Sequence, residues 1–336
     1  PPTQMRTTAR PAWETTHRPR AAGKGALLCV TRSGNAPALG AHVCCWLAGC
    51  PRCDARVTVH AARQRLGCHH CGTEQRLMPS CPDCGSTALR ALGQGTERIE
   101  GVLAELFPEI GIVRIDRDST RRKGAMQAML DSIHRGEKQL LVGTQMLAKG
   151  HHFPDVTLVA ILNADQGLFG ADFRASERMA QLIIQVAGRA GREEKPGQVL
   201  IQTYHPEHPL LRSLLTEGYA AFAEQALRER REAELPPYTA MAMLRAEATD
   251  RDGPQRFLRT GYELAHGLGV EQVELLGPLP SPMERRAGRF RAQLLLQAPQ
   301  RGPLQQLLKA LLPKLDKLAE GRKVRWSIDV DPTDTL

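Results

Sequence analysis

The sequence predicts an α/β protein with three parts: a parallel-sheet lobe, a cysteine-rich module inserted in that lobe, and a βαββαβ domain towards the carboxyl end. Three observations predict it. Strand-like apolar runs alternate with helical patterns from residue 26 to about residue 207, as a parallel sheet requires. Between residues 41 and 86 cysteines recur in pairs separated by two residues. Beyond Pro236-Pro237 the pattern regroups as strand, helix, strand, strand, helix, strand.

Residues 1–25 (PPTQMRTTARPAWETTHRPRAAGKG) carry Pro, Arg and Thr with no apolar period and read as a disordered basic arm. ALLCVTR, from Ala26, is a short buried strand in which Cys29 reads as a small core side chain. GIVRID (111–116), QLLVGT (139–144), VTLVAIL (156–162) and QVLIQTY (198–204) are the further strands of the lobe. GAMQAMLDSIHRG and a stretch over 173–187 are helical. The lobe therefore occupies 26–40 and 87–207, the cysteine module 41–86, and a helical connection rich in Arg and Glu 208–235, with one helix over 209–233. In the α/β domain over 236–336, MAMLRAEA, a helix at 254–267, VELLGPL, RFRAQLLLQA, a helix at 303–319 and VRWSIDV give the split βαβ pattern of ferredoxin-like domains. That fold hosts many activities and names none by itself.

Lys and Arg number 45 against 36 Asp and Glu, a net charge of +9 that favours polyanionic partners such as nucleic acid. Aromatic residues are only 4% of the chain, too few for a long stacking platform, so such contacts should lean on phosphates. No apolar run approaches the roughly 18–20 residues that span a bilayer, and no signal peptide opens the sequence, so a cytoplasmic location is expected. Under reducing conditions the paired cysteines read as metal ligands and not as disulfides. The first residue is Pro1 and not Met, which reads as a fragment or processed product.

Three complete pairs occur: Cys50-Pro-Arg-Cys53, Cys68-His-His-Cys71 and Cys81-Pro-Asp-Cys84. Each puts two thiolates on a tight turn, close enough to share a tetrahedral Zn²⁺ at about 2.3 Å per bond. With Cys44 they make seven ligands, one short of two sites of four. The eighth is His42 or Cys45, or is missing: neighbours in an extended segment face opposite ways, which disfavours Cys44 and Cys45 on one ion. A site of three cysteines and one histidine is ordinary zinc chemistry. His69 and His70 lie inside a turn and should face solvent. No HExxH or similar helical base motif accompanies the cysteines, so the zinc reads as structural.

VGTQMLAKGHHFPDV (142–156) follows the end of a strand, where function clusters in α/β sheets. QVAGRAGR (185–192) ends a helix and places Arg189 and Arg192 three apart on nearly one face, able to clamp phosphate oxygens. Read alone, it also fits a helix end with glycine caps and solvated arginines. Together the two segments resemble motifs V and VI of superfamily 2 helicases. With the cysteine pairs, APALGAHVCCWLAGCPRCD, LGQGTERIE, RIDRDSTRRKGA, TYHPEHPLL and VRWSIDVDP, the chain from about Leu27 to Asp331 resembles the C-terminal portion of the PriA (primosomal protein N-prime) family of replication-restart helicases.

The resemblance implies a RecA-like helicase lobe 2 in which Gln185, Arg189 and Arg192 serve catalysis, Arg189 and Arg192 as arginine fingers, while Thr144, Gln145, Lys149 and Gly150 couple ATP to DNA. It implies two zincs, one on Cys50, Cys53, Cys68 and Cys71, the other on Cys44, Cys81 and Cys84 with His42 or Cys45 as the repair. The family's first pair ends at the position of Cys44, and here Ala41 replaces its first cysteine. Implied partners are forked or single-stranded DNA, primosome proteins and single-stranded DNA-binding protein. The family's role would be to recognise stalled forks and to load the replicative helicase. A P-loop, GxxxxGK[ST], is absent from the 336 residues, as is any Asp-Glu dipeptide, so ATP and Mg²⁺ are expected only together with a preceding lobe. Two alternatives are an inactive zinc-containing adaptor that binds branched DNA or primosome proteins, and a zinc-ribbon RNA-binding or transcription-associated protein that leaves QVAGRAGR unexplained.

Overall fold

The computed structural model describes residues 25–30, 38–41, 43–60, 64–92, 96–116, 119–137, 139–144, 156–170, 172–188 and 198–333. In chain order the strands are β1 (Gly25–Val30), β2 (Ala38–Ala41), β3 (Thr58–His60), β4 (Arg65–Gly67), β5 (Glu74–Arg76), β6 (Leu89–Leu92), β7 (Ile112–Ile115), β8 (Leu140–Gly143), β9 (Val156–Leu162), β10 (Gln198–Ile201), β11 (Ala240–Ala248), β12 (Glu274–Arg286), β13 (Arg289–Ala298) and β14 (Arg325–Val330). The helices are α1 (Thr96–Leu106), α2 (Ala125–His134), α3 (Asp165–Leu168), α4 (Ala175–Ala187), α5 (Pro209–Thr216), α6 (Tyr219–Glu232), α7 (Gly253–Gly267) and α8 (Arg301–Asp316). The chain divides into two compact units, one combining residues 1–37 with 93–223 and the other 38–92 with 224–336.

The first unit is built on a sheet in the order β10-β9-β1-β8-β7, every pair parallel. The five strands are those the apolar runs predict. Near-continuous burial of β8 and β9 matches a parallel sheet covered on both faces. Helix α1 buries Ile99 and Leu103 with Phe107 against Leu140, Val142 and Leu162. The single helix expected over 209–233 is two, α5 and α6. Gly218 between them has φ 91°, a left-handed backbone that glycine adopts without strain, and its N–H reaches Ser213 O to close α5.

The second unit holds two antiparallel sheets. The cysteine-rich sheet runs β5-β4-β3-β2-β6, from very short strands around Leu39, Ala48, Val57, Val59 and Leu66 with Cys50, Cys53 and Cys68. The other sheet runs β12-β13-β11-β14. Its β13 alternates, burying Ala292, Leu294, Leu296 and Ala298 against Phe257 and Leu258 of α7 and Leu304, Leu307, Leu308, Leu311 and Leu315 of α8. The expected strand VELLGPL extends to Arg286 as β12. Pro278, Pro280 and Pro282 are tolerated because β12 is an edge strand, and its register shifts between Leu276 and Leu279 and between Pro280 and Arg285. β12 and β13 join through Ala287 and Gly288, both with positive φ (54° and 82°), as a two-residue type I′ hairpin requires.

Candidate metal centre

Two cysteine pairs sit on the same backbone turn. The Gly72 N–H donates to Cys68 O at 2.8 Å and the Cys68 N–H to Thr73 O at 2.9 Å. In the same way the Gly85 N–H donates to Cys81 O at 2.9 Å and the Cys81 N–H to Ser86 O at 2.9 Å. Both glycines take φ near the left-handed value, 73° and 71°, which turns the chain back just after the second cysteine. The pair Cys50 and Cys53 differs. Its Cys50 N–H reaches Ala55 O at 2.8 Å and its Arg52 N–H reaches Cys50 Sγ at 3.4 Å, but Asp54 stands where the other two have glycine. The Asp54 N–H donates instead to Arg285 O of β12 at 2.8 Å.

These turns bring the sulfurs of Cys50, Cys53, Cys68 and Cys71 within 4.8 Å of one another, and likewise those of Cys44, Cys81 and Cys84. Four sulfurs at tetrahedral corners about 2.3 Å from a Zn²⁺ lie about 3.8 Å apart. The Cys50–Cys71 and Cys44–Cys81 separations are both 3.6 Å, so the donor set fits the ion. Cys50, Cys53 and Cys68 are buried in the module's apolar core, whereas Cys44 and Cys84 are exposed.

Without a cation, the sulfurs of each cluster share protons unequally. Burial, reinforced by Cys71 and Cys68, pushes the Cys53 thiol up to about 12, although the Ala287 N–H lowers it. Cys71 is also raised by burial, but hydrogen bonds from Thr73 outweigh it, with Cys53 and Cys50 assisting, and hold it at about 6. In the second cluster the Trp46 N–H lowers Cys44, yet Cys84, desolvation and Cys81 together raise it to about 11. Cys81 is lowered: burial opposes the shift, and the backbone N–H groups of Cys84 and Asp83 overcome it. A divalent ion that displaces the remaining protons makes all the sulfurs thiolate ligands at once.

Cys45 does not join the second cluster; it is exposed, with φ 59°. His42 lies outside the described residues. His69 and His70 are exposed, as their place inside a turn predicts. The side chain of Cys29 lies outside the described residues.

In the first unit, Thr144 is buried directly after β8, at that strand's carboxyl end, and Gln185 is exposed in the last turn of α4. Gln145, Lys149, Gly150, Arg189 and Arg192 lie outside the described residues. What positions α4 was not foreseen from the sequence. Buried Asp172 accepts the Arg174 N–H at 2.8 Å and the Arg178 guanidinium at 2.9 Å, fixing the first turn of the helix. Gly167 of α3 lies so close to α4 that a Cβ there would meet Met179 Cβ at 2.4 Å. The contacts of the β12–β13 hairpin with the cysteine module also escaped sequence reasoning. They run through main-chain groups together with the Arg52, Cys53 and Asp54 side chains, and their sequence trace is the absence of a glycine after Cys53.

Paired-cysteine turns with a zinc-compatible donor set, carried in one chain with a parallel α/β lobe and an antiparallel α/β domain, define a zinc-binding, multidomain α/β protein. Three family models refine the class to a helicase portion: residues 50–76 match the PriA DNA helicase Cys-rich region domain, 92–194 the helicase conserved C-terminal domain, and 231–333 the primosomal protein N C-terminal domain. The chain belongs to the PriA family and carries its C-terminal helicase, Cys-rich and C-terminal domains. It is 47% identical over 312 residues to the replication restart protein PriA of Haemophilus influenzae, an alignment covering 93% of this chain and 42% of that protein. The PriA proteins of Bacillus subtilis and Synechocystis are each 38% identical, over 93% and 91% of this chain and 39% and 37% of theirs. The chain thus spans about two fifths of the length of these relatives. No helix among the described residues is long and apolar enough to cross a membrane.

Proposed function

We propose that this chain supplies the second motor lobe, zinc module and C-terminal domain of an ATP-dependent 3′-to-5′ DNA helicase that restarts replication in the cytoplasm. The observation that carries this reading is the presence of the helicase C-terminal, Cys-rich and PriA C-terminal domains in one chain. The lobe expected over 26–40 and 87–207 serves as a RecA-like lobe with its inner edges moved to 37 and 93, and the zinc module expected over 41–86 widens to 38–92, because β2 and β6 pair in the cysteine-rich sheet; 208–235 serves as the connection and 236–336 as a ferredoxin-like domain. The element order βαββαβ and the sheet order β12-β13-β11-β14 support the last assignment. Arg189 and Arg192, with Gln185, reach the phosphates of a nucleotide bound on the preceding lobe. Thr144, Gln145, Lys149 and Gly150 link that nucleotide to the DNA backbone. Two zincs hold the module, the second on Cys44, Cys81 and Cys84 with His42 as the favoured fourth ligand. The net charge of +9 suits forked or single-stranded DNA, and primosome proteins and single-stranded DNA-binding protein are the protein partners.

An arginine finger adds roughly 10³–10⁵ in rate only to a nucleotide already held and metal-positioned. ATP turnover stimulated by forked DNA is therefore expected from a longer protein joining this chain to a P-loop lobe, and not from the 336 residues alone. Arg189→Ala should abolish turnover in the longer protein while leaving its fold intact. DNA-stimulated hydrolysis by the 336-residue chain would overturn this division of labour. A second reading, favoured by the absence of a P-loop within these residues, is an adaptor that binds branched DNA without hydrolysis. Fork binding by the chain, with no turnover in the longer protein, would select it.

A further inference from the structure

The tip of the β12–β13 hairpin reaches across more than two hundred residues of sequence to the one cysteine turn that lacks a glycine. Four main-chain N–H groups take part. Ala287 donates to Cys53 Sγ at 3.1 Å and Gly288 to Arg52 O at 2.7 Å. Asp54 donates to Arg285 O at 2.8 Å, and Arg285 donates back to the Asp54 carboxylate at 2.6 Å. The Arg52 guanidinium closes the set on Ala287 O at 3.0 Å, and the Arg285 and Asp54 side chains pair at 3.6 Å.

In the turns after Cys68 and Cys81, a glycine N–H folds back onto the first cysteine. After Cys50 that position is Asp54, and its N–H is spent on the hairpin. Ala287, with no side-chain polarity of its own, holds a left-handed φ of 54° that an alanine adopts only under constraint, and in doing so aims its N–H at Cys53 sulfur.

We infer that the hairpin tip is the outer shell of the Cys50, Cys53, Cys68 and Cys71 site, with Ala287 as a positioning residue, so that metal retention there and docking of the cysteine module on the C-terminal domain are one linked equilibrium. An N–H to a metal-bound thiolate stabilises its charge and fixes its direction, and loss of such a partner typically costs about 10–100-fold in metal affinity. The linkage is reciprocal: what the hairpin adds to metal retention, the metal adds to docking. Among the described residues no hairpin amide acts on Cys44 or Cys81, so the second cluster serves as the internal reference.

The inference rests on zinc at the first cluster, and native mass spectrometry of the whole chain establishes that occupancy separately before any variant is compared. Zinc release to a chromogenic chelator is then followed in the unmutated 336-residue chain, in Ala287→Pro, which has no N–H at that position and whose ring, locked at φ of about −65°, also opens the hairpin tip that needs φ 54°, and in Asp54→Gly/Ala287→Pro. One release phase should accelerate about 10-fold or more in Ala287→Pro, with the other unchanged. Asp54→Gly, which gives the first turn the glycine of the other two, should return that phase towards the unmutated rate. Equal release in all three proteins, or acceleration of both phases together, overturns the inference. Hydrogen exchange in the unmutated chain tests it without a substitution. The Ala287 and Gly288 amides should be protected with metal and exchange freely after chelation, while the core of α7 and α8 stays protected. Unchanged exchange at the tip after zinc removal also overturns it.

Discussion

Replacing Cys53 by Ser should uncouple the cysteine module from the rest of the protein, and replacing Cys84 should not. Cys53 is 2% exposed and belongs to the apolar core of the module, whereas Cys84 is exposed and lies outside that core. The core is small. Its larger aliphatic members Leu39, Val57, Val59 and Leu66 are buried, and at about 1.5–3 kcal/mol each they contribute roughly 6–12 kcal/mol together. A structural zinc contributes on the order of 10 kcal/mol to folds of this kind, comparable with that burial, so these short strands depend on the metal as well as on the core. Cys53→Ser should therefore remove one zinc and expose the amides of β3, β4 and β5 to exchange. Cys84→Ser should remove metal from the other cluster and leave β3 and β4 protected. In both variants the core around Leu244, Phe257 and Leu294 should remain intact, because it draws on α7 and α8 and on no cysteine. Native mass spectrometry for metal content, with hydrogen exchange for protection, reads all of this in the full chain. Full zinc content and unchanged exchange in Cys53→Ser would refute the reasoning, as would equal loss of β3 and β4 protection in Cys84→Ser.

Two further outcomes are expected. Gly167→Ala places a methyl 2.4 Å from Met179 Cβ, where Met179 is buried and its Cβ cannot swing aside, so urea unfolding should show a loss of about 1–3 kcal/mol; stability equal to the unmutated chain would mean that α3 and α4 separate freely. Metal uptake should release protons: near neutral pH the metal-free Cys53 and Cys44, at about 12 and 11, are thiols, while Cys71 at about 6 is largely ionised. Because bound sulfur is thiolate, apparent affinity must weaken as pH falls, and calorimetric heats of binding must differ between buffers of different ionisation enthalpy; identical heats would contradict it.

The parts of the fold legible in the sequence are those whose signals are local. Buried runs such as VTLVAIL announce parallel strands, and paired cysteines two residues apart announce metal turns, because both depend on neighbours within a few positions. Gly218 was equally visible and would have divided the helix over 209–233 had its left-handed preference been weighed against the helical pattern. Pro278, Pro280 and Pro282 hid the length of β12, since prolines argue against a strand until the strand is known to lie at a sheet's edge. Ala41 leaves the second cluster one cysteine short in the sequence, and the described residues bring three of its sulfurs together.

The hairpin contact was illegible for a different reason, and the reason shows where its trace lies. Most of its donors are main-chain groups, of Arg285, Ala287 and Gly288 on the hairpin and of Asp54 on the turn, which no side-chain pattern advertises, and they join residues from far apart in the chain. Yet two of the three cysteine pairs are followed by glycine, Gly72 and Gly85, and one is followed by Asp54. A turn that needs a backbone donor to fold onto its first cysteine, and lacks the residue that adopts the required φ, must have that donor satisfied by water or by another part of the chain. The missing glycine thus carried the information that the Asp54 N–H is free of its own turn; that its acceptor is the carbonyl of Arg285, and not water, required the structure.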